Sequence, residues 1–325
     1  MRWLNERIRD DRGATAVMVG LLMVPLIGFL AIALDVGALY AERAQLQNGA
    51  DAAALAIAND CALDDSCDNA AGLSQTFANA NANDAAANVG GINYPTANSV
   101  RVVTSTRDAA TGDAAMRHPF AAMIGTEFST VEAEATAEWG SPVSSATVLP
   151  LAVSLCEFER AIDVNGIFTG ELQLFRIDMN TPCPGPDGHP IPGGFGWLDL
   201  VATGECSGII ERETLPSRPG IAFPNTPACN AVLTSLEGST IIVPIFDGGT
   251  GTGAGGTFRI HGFAAFEVTG WRFTGGRVNV DPAAPACTGS CQGIQGRFVE
   301  WVSPDAAGVE IGGPDLGVTI IRLSR

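Results

Sequence analysis

The sequence predicts an α+β protein: an N-terminal transmembrane helix continuing into a stalk, a small α+β module, and a disulfide-bonded mainly-β domain. Three observations carry this expectation. The 22 residues from Gly13 to Leu34 hold no charge, and as a helix they rise about 33 Å, the thickness of a bilayer's hydrocarbon core. The eight cysteines all lie beyond that run, an even number that suits a disulfide framework in an oxidising compartment. Beyond residue 141 Gly and Pro become frequent and short apolar runs alternate with turns, the pattern of an all-β unit.

Residues 1–12 read as a cytoplasmic tail. They hold Arg2, Arg7, Arg9 and Arg12, whereas Asp35 to Leu46 hold only Arg43 as a base, so the positive-inside rule keeps the N-terminus in the cytoplasm. Residues 13–34 form the span. A secretory signal has a shorter apolar region and a small-x-small cleavage site, and "ALYAE" at Ala38 to Glu42 is a poor one. Pro25 lies within the run, where a membrane helix tolerates it. Beyond Asp35, the residues Val36, Leu39, Tyr40, Leu46, Ala50, Ala53 or Ala54, and Ile57 recur at spacings near three and four, the seam of an amphipathic helix. Six of the nine residues from Ala50 to Ala58 are alanine, the best helix former. One helix from about Thr15 to Asn59 follows, with 35–60 as a helical stalk. Its small residues Gly20, Gly28, Ala31 and Gly37 are candidates for close packing on partner helices.

"RGATAV", an apolar run with an internal proline, and then "LDVGALYAERAQLQNGADAAALA" together resemble the N-terminal segment of the TadE/TadG-like proteins of Flp (tight-adherence) pilus assembly. The resemblance covers about 45 residues, Arg12 to Ala56. It implies a membrane-anchored extracytoplasmic protein whose partners are other pilus-assembly or pilin-like membrane proteins. Prepilins are cut after a glycine and carry glutamate as the fifth mature residue. A cut between Gly13 and Ala14 would put Met18 there, which cannot form the glutamate's ion pair, so the resemblance points to an unprocessed, TadG-related anchor. Some TadG proteins carry a metal site beginning DxSxS; this chain has no such string.

Residues 61–140 read as the small extracytoplasmic module. "AAGLSQTFANANANDAAANVG" is expected to be a second helix, "SVRVVTST" (Ser99 to Thr106) a strand, "HPFAAMIG" a short helix with Pro119 at its start, and "EFSTVEAEATAEWG" a half-buried strand. Residues 141–147 read as a linker and 148–325 as the β-rich domain, with strands in "VLPLAVSL", "GIFTGELQLFRI", "GFGWLDLVA", "STIIVPIFD", "TFRIHGFAAFEVTGWRF", "GIQGRFVEWV" and "LGVTIIRL". Cys61 with Cys67, and Cys287 with Cys291, are close enough in sequence to pair. Cys156, Cys183, Cys206 and Cys229 allow three pairings, and the spacing does not choose among them.

Motifs for chemistry are sparse. A net charge of −17 excludes the basic footprint of a nucleic-acid partner. "GTGAGG" (Gly251 to Gly256) matches GxGxxG, but strand-like text stands on both sides where a dinucleotide site needs a following helix; it reads as a hairpin loop, and no cofactor is expected. Asp247 beside it has no second carboxylate for calcium. With no CxxC pair, and with His118, His189 and His261 scattered, no metal site is expected. The histidines read as structural, "EFER" and "IIERET" as surface charge, and Trp197, Trp271 and Trp301 as core. The reading is a non-enzymatic component of pilus-assembly or related secretion machinery, in the bacterial cytoplasmic membrane with its later domains outside. The alternatives are an anchored protein whose β domain binds glycan or a protein partner, unrelated to pili, and an extracytoplasmic enzyme with an unrecognised site.

Overall fold

A computed structural model describes residues 12–64, 66–177, 182–185, 190–191, 194–199, 206–217, 222–250, 256–303 and 309–324. The chain divides into two compact units, Met1–Ala137 with Leu323–Arg325, and Glu138–Arg322.

The first unit is built on one continuous helix, α1 (Arg12–Asp64), which passes through Pro25 without a break. Helix α2 (Ala70–Asn81) folds back along it. The turn between them is closed by the Cys61–Cys67 disulfide and by Asp60, which accepts from the Asn69 backbone N–H and side-chain amide. Leu46, Ala50, Ala53, Ala54, Ile57, Ala58 and Cys61 are buried along one stripe of α1, the three-and-four spacing of a packed helical face. The small side chains allow close approach: a Cβ on Gly49 would lie 3.2 Å from the Cα of Ala78 in α2. Residues 46–61 are therefore the spine of a packed unit, where the sequence reading has a stalk.

Strands β1 (Ala87–Thr96) and β2 (Ser99–Thr106) form an antiparallel hairpin, with β5 (Glu132–Gly140) beside β2. Thr104 Oγ1 donates to the Leu46 carbonyl at 2.9 Å, and Gln47 Nε2 to that of Glu134 at 3.0 Å, so polar contacts fasten the sheet to α1. The expected second helix through Gly90 is corrected here. The chain leaves the helix at Asn81 and is extended from Ala87. The paired glycines Gly90 and Gly91 weaken a helix, while Asn79 and Gln75 take the N–H and C=O of Ala87 and so start the strand. Between β2 and β5, β3 (Met116–Arg117) pairs with β4 (Phe128–Ser129) around a single 3₁₀ turn, Ala121–Ile124. The expected helix at 118–125 is that one turn, ended by Gly125 at φ +97°.

In the second unit, β6 (Ser144–Thr147), β7 (Leu151–Ser154), β8 (Gln173–Arg176), β9 (Cys183–Pro184), β10 (Pro190–Ile191), β11 (Phe195–Trp197), β12 (Gly208–Glu211) and β13 (Thr214–Pro216) precede the long strands β14 (Thr240–Thr250) and β15 (Thr257–Phe273). β16 (Arg277–Asn279), β17 (Gly293–Val299), β18 (Trp301–Ser303) and β19 (Val318–Ser324) follow. The main sheet runs β11-β7-β14-β15-β17-β8, with β13 and β16 also on β15. Segment 144–147, which composition marks as linker, is a strand paired with β12. Two helices, α3 (Leu155–Glu159) and α4 (Pro227–Leu233), are too short to show a period in sequence. Both start on hydroxyl caps: Ser154 accepts from the Cys156 N–H, and Thr226 from that of Cys229. The core is aromatic, with Phe158, Phe168, Phe175, Phe266 and Phe298 in one cluster and Phe195, Trp197, Phe223 and Phe273 in another.

Candidate functional site

The part of the molecule that its own packing does not explain is the first half of α1. Val17, Leu21, Val24 and Phe29 are 64, 70, 74 and 72% exposed. Burying such a side chain is worth about 1.5–3 kcal/mol, so leaving a whole helical turn after turn of them in water is untenable. Among the described residues one helix is long and apolar enough to cross a membrane, and its most apolar stretch is uncovered by the rest of the chain. A Cβ added at Gly13, Gly20, Gly28 or Gly37 would meet nothing within 4 Å, whereas Ala31 is half-buried. Met18 is 65% exposed, and the side chain of Ala14 lies outside the described residues.

The uncovered stretch ends at Asp35, only 5% exposed. Its Oδ2 accepts from the Ala121 N–H at 2.5 Å, and its Oδ1 is buried without a partner. Nearby in the same hairpin, His118 is buried, with Nε2 2.7 Å from Ser129 Oγ, and the Arg117 guanidinium sits 5.5 Å from the centre of the Phe128 ring. Further along α1, burial and then the Asp84 carboxylate raise the pKa of Glu42. None of this was legible in sequence: Asp35 and Ala121 lie 86 positions apart, and no local pattern joins them.

Residues 13–60 match the family model described as putative Flp pilus-assembly TadE/G-like. Over this segment the chain is similar to that family. Its match begins where the uncharged run begins and ends one residue before the first cysteine. No curated protein and no solved structure matches the chain. The TadE/G-like segment thus covers both halves of α1, the uncovered half and the packed half.

The cysteines following the TadE/G-like segment form four disulfides. Cys61–Cys67 and Cys287–Cys291 join neighbours. Of the three pairings open to the other four, the structure has Cys156–Cys183 and Cys206–Cys229, with Cα–Cα distances of 5.9 and 4.8 Å.

The remaining candidates disperse. Asp247 is held by Arg259 Nε at 2.6 Å and His261 Nδ1 at 3.0 Å, so both carboxylate oxygens have protein partners. His189 and residues 251–255 of the glycine-rich loop lie outside the described residues; Thr250 and Thr257 on either side pair antiparallel, which makes the connection strand to strand. Trp197 and Trp271 are buried, whereas Trp301 is 42% exposed, against the expectation of core. Glu157, expected on the surface, is buried: it accepts from Arg160 at 2.8 Å and from the Gly194 N–H at 3.0 Å, tying α3 to the chain before β11. A cleft of ≈ 400 Å³ is lined by Val143, Ser144, Glu211, Arg212 and Glu310, and Arg212 Nε there donates to the His261 carbonyl. Among the described residues no group of three or more His, Cys, Asp or Glu is placed to hold a metal ion.

Proposed function

We propose that the chain is a non-enzymatic, membrane-anchored component of Flp pilus assembly or a related secretion machine. It sits in the bacterial cytoplasmic membrane, N-terminus inside. The observation that carries this reading is the coincidence of the TadE/G-like match with a helix whose apolar half nothing in the chain covers. Arg2, Arg7, Arg9 and Arg12 before the span favour a cytoplasmic N-terminus. Four disulfides after it favour an oxidising compartment for the rest. With Met18 where a prepilin has glutamate, the Gly13–Ala14 bond stays intact and α1 remains an anchor beside the pilus. Gly20, Gly28 and Gly37, open on α1, are where partner helices approach.

The test is genetic and direct. Deleting the gene in the source bacterium should abolish Flp pili in electron micrographs, and re-expression of the whole chain should restore them. A deletion strain with normal pili and surface adhesion overturns the proposal. In the restored strain, Gly28→Leu should weaken crosslinking to pilus-assembly partners while the protein still fractionates with membranes. N-terminal sequencing of the recovered protein should find no chain starting at Ala14; finding one would make the protein a filament subunit.

A further inference from the structure

We infer that the hairpin Met116–Ser129 is a second, peripheral membrane contact, resting with Phe120 and Phe128 in the lipid–water boundary at the foot of α1. The inference rests on reading α1 as a membrane span. Asp35 is one residue beyond Leu34, a rise of about 1.5 Å along the helix, and it binds the backbone N–H of Ala121. That bond fixes the 3₁₀ turn Ala121–Ile124 at the level where the uncharged run stops. Phe120 immediately precedes the turn and is 40% exposed; Phe128, opposite Arg117 in the strand pair, is 48% exposed.

A pair of two-residue strands is not stable by itself in water. This one is pinned to α1 yet directs two phenylalanine rings away from the unit's interior. The hairpin is bonded to α1 at Asp35, where the uncovered apolar stretch ends, so the lipid that covers that stretch stops at the level of the turn. Aromatic side chains with a neighbouring cation suit the boundary between acyl chains and headgroups. Arg117, exposed and lying over the Phe128 ring, reaches headgroup phosphate from there, while the exposed carboxylate of Glu127 stays on the water side.

The experiment uses the whole chain in vesicles of phosphatidylethanolamine and phosphatidylglycerol. The photocrosslinker p-benzoyl-phenylalanine is placed singly at Phe120, Phe128, Leu22 or Leu63, and lipid adducts are counted by mass spectrometry. Leu22 lies within the span. Leu63 is 63% exposed but stands about 43 Å along the helix from Leu34, out of lipid reach. Lipid adducts at Phe120 and Phe128 should exceed those at Leu63 by about tenfold or more, the partition that burying a phenylalanine supports. Arg117→Glu should cut the yield at Phe128 severalfold and leave Leu22 unchanged. Adducts at Leu22 with only the Leu63 background at Phe120 and Phe128 overturn the hairpin contact while keeping the anchor. Background yield at Leu22 as well overturns both, and equal yield at Leu63 overturns the hairpin contact by showing the whole unit lying on the vesicle.

Discussion

Two carboxylates on α1 show how position alone sets the role of an acidic side chain. Asp35 stands at the end of the uncharged run and ties the 3₁₀ turn to the helix through the Ala121 N–H. A carboxylate accepting a backbone hydrogen bond contributes about 1.5–3 kcal/mol, so Asp35→Leu should release the turn, and the Ala121 amide should lose hydrogen-exchange protection while amides near Ile57 keep theirs. Glu42, two turns on, has no such bond to gain. Burial, and after it the Asp84 carboxylate, penalises its charge and raises its pKa above the ordinary 4.5. A raised folded-state pKa for an acid means the folded form prefers the proton. The cost is therefore absent below the unfolded value, grows as pH rises toward the folded one, and levels off above it. Glu42→Gln should raise the melting temperature at pH 7, by more than Asp84→Asn does because burial is the larger cause, and the gain should vanish below about pH 4.5. An equal gain at both pH values would show that charge is not the reason.

At the scale of elements, α1 does two jobs with one continuous backbone, and Gly49 marks the second. With a Cβ position only 3.2 Å from the Ala78 backbone, it sets how closely α2 can lie. Gly49→Leu forces the helices apart and should cost about 1–3 kcal/mol, as overpacking does. Gly49→Ala recovers up to about 1 kcal/mol of helix propensity and should come out near neutral, a contrast that urea titration followed by circular dichroism can resolve. Where sequence reading succeeded and failed follows from the range of the forces involved. The helix and the strand Thr257–Phe273 were legible because their residues repeat at the period of the element. The strand Ala87–Thr96 was hidden inside alanine-rich text, since what starts it is a bond from Ala87 to Asn79 across eight positions. The burial of Glu157 depends on Gly194, 37 positions away, and the Asp35 contact spans 86. No local pattern records contacts of that reach.

For the whole molecule, the distribution of disulfides decides which part depends on an oxidising compartment. The first unit has one, closing a separation of 6 residues, on top of a helix pair already locked by close-packed alanines. The second unit has three, two of them closing separations of 27 and 23, and its sheet is joined by many short strands and turns. In the loop-entropy account, the two long closures restrict the unfolded chain by about 3–4 kcal/mol each and the short ones by about 2. A typical domain is stable by only about 5–15 kcal/mol in all, so the second unit cannot lose its bridges and stay folded with any margin. The first can. Reduction should therefore melt near-ultraviolet signals of the second unit, where Trp197 and Trp271 are buried, tens of degrees below the oxidised protein, while the far-ultraviolet helix signal persists. Cys156→Ser with Cys183→Ser should reproduce about two fifths of that loss without reductant, and Cys61→Ser with Cys67→Ser should leave the second unit unchanged. If the second unit kept its melting temperature in reductant, its stability would come from the aromatic core alone, and the cysteines would no longer argue for the side of the membrane on which it folds.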